Sequence, residues 1–158
     1  MLKDDDTSLC PGDAAAAILI APDSRYVLQL RDSKRGIFFP GRWGCFGGTI
    51  EPQDANIEQG LVRELREELG LDVSVDALTY FTNYTFDMSF CGVGVIYRKF
   101  YEVRLTDEQM RALRLGEGSD FRAFTAREAL STLNLTPYDE FALWMHASRR
   151  RLGPAART

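Results

Sequence analysis

Glu64, Glu67 and Glu68 stand at i, i+3 and i+4 within NIEQGLVRELREEL, a spacing that puts three carboxylates on one side of an α-helix. Like charges so close repel. A hard divalent cation such as Mg²⁺ removes the repulsion, because it prefers oxygen ligands and commonly joins one or two carboxylates to substrate phosphates. Taken alone, such a triplet more often means a solvated acidic face, so its meaning depends on its surroundings. Other familiar chemistry has little to stand on. His146 is the single histidine, which leaves a Ser-His-Asp or Cys-His mechanism poorly supported, and a structural or surface role suits it better. Cys10, Cys45 and Cys91 are widely spaced with no C-x-x-C pair; this argues against a disulfide framework and a zinc site and fits reduced thiols.

The helix that must carry the triplet is the most regular signal in the chain. Asn56 suits the N-cap, Gln59 completes a capping box and Gly70 stops the helix. Ile57, Leu61, Val62, Leu65 and Leu69 make a stripe destined for the core. Upstream, AAAAILIAP and RYVLQLR flank Pro22-Asp23-Ser24 as two strands of a hairpin, although alanine favours a helix. The loop RDSKRGIFFPGRWGCFGG follows, with aromatics that are either anchors or ligand walls. Downstream, DALTYFTNYTFDM and VGVIYRKFYEVRL read as paired strands, DEQMRALRL as a short helix and SDFRAF as a strand. Thr125 opens a second capping box with Glu128, and Pro137 begins a last helix with a basic end, whose Arg149, Arg150 and Arg151 suit the helix dipole. Strands separated by a few helices predict an α+β fold or an α/β/α sandwich with a mixed sheet.

A chain of 158 residues with 45% hydrophobic residues suits one domain over 1–158, with the polar start 1–11 and the tail 152–158 expected to fray. A formal charge of -4 and a pI near 5.1 give no reason to expect a stable nucleic-acid partner. The start MLKDDDTSLC is acidic where a secretory signal is basic, and no apolar run approaches the roughly 20 residues of a bilayer span. A cytoplasmic protein without a membrane partner is therefore expected.

The stretch GGTIEPQDANIEQGLVRELREELGL closely resembles the box that defines the Nudix hydrolase family. Its second half is matched without a gap by Arg63, Glu64, Leu65, Glu67, Glu68, Gly70 and Leu71. Its first half departs: counted from Gly48, the glutamate position holds Asp54, and the run from there to Arg63 is one residue too long. The loop GIFFPGRWGCFGG is also of the kind that leads into such boxes. The resemblance implies a Nudix-type α/β/α sandwich with a mixed central sheet, a nucleotide-containing small-molecule substrate, and Mg²⁺ or Mn²⁺ as cofactor. By position it implies Glu64, Glu67 and Glu68 as metal ligands, Arg63 as the ion-pair partner that holds Glu64, and Gly48 as the point where backbone approaches the metal. The general base can be a box glutamate or a later carboxylate. Glu117 in LGEGSDFRAF stands where some relatives contribute one, with an ordinary loop glutamate as the alternative. The roles of Asp54 and nearby Glu51 stay open. Trp43, Phe39 and Tyr84 could stack on a base or pack in the core; Arg31, Arg35 and Arg42 could meet phosphates or water. The leading substrate reading is a nucleoside diphosphate joined to another group, such as a nucleotide sugar or an ADP-ribose-like molecule. Its alternatives are a nucleoside triphosphate cut to the monophosphate and, in another class, a non-catalytic nucleotide-binding module. A homodimer is one option that the resemblance implies for assembly.

Overall fold

The computed structural model describes residues 13–34, 37–87, 89–91 and 94–149. The expected frayed ends, Cys10, Arg35, Arg150, Arg151 and the side chain of Cys91 lie outside the described residues.

Among the described residues, six strands and four α-helices follow one another as β1 (Ala14–Ile20), β2 (Tyr26–Leu30), β3 (Trp43–Gly44), α1 (Ile57–Leu69), β4 (Thr79–Asp87), β5 (Val95–Arg104), α2 (Asp107–Ala112), β6 (Asp120–Phe124), α3 (Ala126–Thr132) and α4 (Pro137–Ser148). The sheet runs β3-β2-β1-β5-β4, with β6 paired to β2. β1 and β5 are parallel, Ala14 opposite Arg98, and the other pairs are antiparallel. The mixed sheet expected from the sequence is present.

Every residue of β1 is buried, as befits a strand covered on both faces. Ala15, Ala17 and Leu19 face Leu61, Leu65 and Leu69 of α1. Ala16, Ile18 and Ile20 face Phe100 with Ala142 and Leu143 of α4. Burial on two sides overrides the helix preference of the four alanines, and their small side chains suit a strand sandwiched between helices. The result is an α/β/α sandwich, with α1 on one face and α3 and α4 on the other.

The long loop before α1 holds more order than its composition suggests. β1 and β2 pair only at Leu19 with Val27 and Ile20 with Tyr26. Beyond that point the segment 43–49 runs between them: Gly44 lies opposite Gln29, Phe46 opposite Ala17 and Thr49 opposite Ala14. These contacts are too short for an alternating pattern, so the sequence reads as loop. α1 forms as its local signals require. Asn56 accepts the Gln59 N–H at 2.8 Å, and Gly70 ends the helix at φ 61°, a left-handed conformation that glycine adopts without penalty. No described helix is long and apolar enough to cross a membrane.

Candidate active site

α1 carries the acidic triplet past the segment 43–49 and β2, and the triplet divides. Glu64 and Glu68 line a cavity of about 340 Å³ together with Gln29, Arg31, Gly48 and Glu117. Glu67 is exposed and stands outside that lining, held by Arg63 at 3.0 Å. Glu68 is only 7% exposed. Its Oε2 accepts the Gly47 N–H at 2.8 Å, and its Oε1 accepts from the Gln29 amide at 3.3 Å. Burial pushes the Glu68 carboxyl up to about 7, with the charges of Glu64 and Glu117 adding to the effect. Burial likewise raises Glu64, against the opposing pull of Arg63.

Arg63 organises the acidic groups around it. Its Nε and one terminal nitrogen form a fork on Asp54 at 3.0 and 2.9 Å, while the other terminal nitrogen reaches Glu64 and Glu67, each at 3.0 Å. Two parallel bonds to one carboxylate are the strongest form of such pairing, and Arg63 holds Asp54 below the usual carboxylate range. Asp54 is thus tied into the same cluster despite its shorter side chain, and it also accepts the Glu51 N–H at 2.8 Å. Room for it comes from Gly60 inside α1, where a Cβ would lie 2.9 Å from the Asp54 carboxylate. Gly48 serves Glu64 in the same way, since a Cβ there would sit 2.8 Å from its carboxylate.

Glu117 reaches the cavity because its loop docks on the end of α1. The Arg114 and Gly116 N–H groups donate to the carbonyls of Leu69 and Glu68 at 2.9 and 2.7 Å, satisfying acceptors that the helix end leaves free. A side chain at Gly116 would overlap the Glu67 carbonyl oxygen.

The remaining candidates fall on two sides of the sheet. Arg31 lines the cavity, with its Nε donating to the Phe38 carbonyl at 2.9 Å. Arg42 donates to the Leu135 carbonyl and lies over the Phe39 ring; Phe39 packs edge-on to Tyr138, and Trp43 packs on Phe124. None of these three lines the cavity. The Tyr84 hydroxyl donates to the Tyr138 carbonyl at 2.6 Å. His146 is buried, bonded to Tyr26 at 2.8 Å and to Glu102 at 2.7 Å, and burial lowers its proton affinity. It serves as a polar pin between α4 and the sheet.

Among the described residues, no three His, Cys, Asp or Glu side chains close round one point as a preformed cage. That arrangement still suits Mg²⁺, which is usually held by one or two carboxylates plus water and substrate phosphates. Glu64 and Glu68 supply two hard oxygen donors whose buried negative charge a divalent cation would offset.

A family model described as the NUDIX domain matches residues 11–145, and the chain belongs to that family. It is 41% identical to nucleoside triphosphatase NudI of Escherichia coli over 76 residues, which make up 48% of each chain. The chain therefore matches about half the length of these curated relatives. Among solved structures it resembles the Escherichia coli ORF135 protein, at 26% identity and TM-score 0.68, over 90% of this chain and 93% of that one. The NUDIX domain of Shewanella oneidensis NrtR, solved with ADP ribose, shares the fold with TM-score 0.71 at 18% identity over 94% of each chain.

Proposed function

We propose that this protein is a divalent-metal-dependent hydrolase that uses water to cleave a diphosphate linkage in a nucleotide-containing small molecule. The observation that carries this reading is the gathering of Glu64, Glu68 and Glu117 with Arg31 in one cavity. Mg²⁺ or Mn²⁺ held there would neutralise charge growing on phosphate oxygens and lower the pKa of an attacking water. Glu64 and Glu68 would hold the cation, and Arg63 would keep Glu64, Glu67 and Asp54 fixed. Arg31 would face a phosphate, and Glu117 would accept the proton of the water. Between substrate classes, the likeness to a protein named nucleoside triphosphatase supports a nucleoside triphosphate. The nucleoside diphosphate joined to a sugar or similar group, the leading expectation from the box resemblance, is the other class to test.

The deciding experiment is a panel of nucleoside triphosphates, nucleotide sugars, ADP-ribose and dinucleotides, each with Mg²⁺ or Mn²⁺ and chromatographic detection of products. Metal-dependent cleavage concentrated in one class fixes the bond and the substrate together. Metal binding without turnover on any member would favour a nucleotide-binding module instead. Glu117→Gln is expected to lower kcat with little change in KM; unchanged kcat would return the base to a box glutamate. Gly116→Ala should force the 113–118 loop off α1 and cost roughly 1–3 kcal/mol of stability, as overpacking does. With Glu117 displaced by an ångström or so, turnover should drop on the order of a hundredfold. Wild-type kcat in that variant would detach the loop from the chemistry.

A further inference from the structure

Gln29 is 4% exposed near the end of β2, where an amide is costly unless its hydrogens find acceptors. Both of its acceptors belong to the site. Nε2 donates to Glu68 Oε1 at 3.3 Å and to the Glu117 carbonyl at 3.2 Å. The backbone of Gln29 is fixed from two directions, opposite Gly44 on β3 and Phe121 on β6, so the amide projects from a rigid part of the sheet. The loop leaves space for it at Gly118, where φ is +91° and a Cβ would come within 3.0 Å of the Gln29 side chain. Turned over, the amide would set its oxygen against a carboxylate oxygen and lose both bonds, which dictates its orientation. Each oxygen of Glu68 thus takes one protein donor, from Gly47 and from Gln29, and each keeps a second lone-pair direction for a cation.

We propose that Gln29 is a positioning residue, a single amide that locks the α1 carboxylate of Glu68 to the loop carrying Glu117 and so presents both in one geometry to a divalent cation. The proposal rests on the metal-dependent reading of the site. Partners of this kind, which orient a ligand without touching the metal, are commonly worth about 10–100-fold in affinity or activity.

The test measures Mn²⁺ binding by electron paramagnetic resonance, with wild type and Gln29→Met, a replacement of similar length that removes both donors. Gln29→Met is expected to bind Mn²⁺ about tenfold more weakly or worse and to lose kcat with KM little changed, while circular dichroism stays native. In wild type, the side-chain amide resonances of Gln29 should shift as Mg²⁺ is added. A folded Gln29→Met protein with wild-type Mn²⁺ affinity overturns the proposal, as do amide resonances that stay fixed at saturating Mg²⁺. If Gln29→Met does not fold, those resonances decide alone. Wild type that binds no Mn²⁺ would instead overturn the metal-dependent function itself, an outcome distinct from equal binding by wild type and variant.

Discussion

Replacing Glu68 by glutamine is expected to lower turnover about a thousandfold, since charge stabilisation by a metal is worth several kcal/mol and each 1.4 kcal/mol is a factor of ten. The same change should make the heat stability of the metal-free protein less sensitive to rising pH, even though the new amide sets one donor against Gly47 or Gln29. The Glu68 carboxyl is raised from 4.5 to about 7 in the fold, so between those values the folded protein keeps a proton that the unfolded chain has released. Its stabilising contribution is complete below the lower value and is lost as pH rises through the upper one. The Glu68→Gln protein has no such loss, so its Tm relative to wild type should rise from pH 5 to pH 8 when both are measured with chelator present. Saturating Mg²⁺ should offset that rise, because it binds the deprotonated folded form alone. Parallel Tm curves would show that Glu68 is not a desolvated charge, and near-native turnover would remove it from the metal site.

Arg63→Ala should cost roughly 3 kcal/mol, the low end of what breaking a buried ion pair costs, because Asp54 is left with a side chain only 6% exposed and no cation. The low end applies because Arg63 itself is 21% exposed and its charge is partly screened. For a domain of this size the Tm should fall by about 10 °C, and turnover should fall with it as Glu64 loses its anchor. Arg63→Lys should recover part of the Tm and little of the turnover, since an ammonium cannot make the fork on Asp54. In an Asp54→Asn background, Arg63→Ala should cost much less, and the difference measures the pair. A Tm within 2 °C of wild type for Arg63→Ala alone would show that the cluster is held by other contacts.

The sequence reveals those parts of the molecule whose causes are local. α1 is legible from Asn56 to Gly70 because caps and apolar period are written within one segment. The division of the glutamate triplet is legible in principle: Glu68 follows Leu61 by seven residues and Leu65 by three, which sets it on the buried stripe, whereas Glu67 points away from it. Asp54 is harder, since the extra residue breaks the expected spacing and its partner lies nine residues on. Gly60 is the one trace it leaves, a glycine inside a helix at a cost near 1 kcal/mol that periodicity does not explain. Gln29 leaves no trace. A polar residue next to last in an otherwise apolar strand gives no hint that its amide meets a helix and a loop far along the chain.

The parallel pairing of β1 with β5 bears on how the molecule comes to exist at all. A ribosome releases Ala14–Ile20 well before the strand opposite, Val95–Arg104. Contacts so distant are slow to form, and until then AAAAILI is a seven-residue apolar strand with no charge or proline within it, flanked by Asp13 on one side and by Pro22 and Asp23 on the other. Nascent chains halted before Val95 should therefore be insoluble unless a chaperone covers that strand. The tight-fitting alanines that let helices close on both sides of the sheet make the newborn protein dependent on prompt completion of its synthesis.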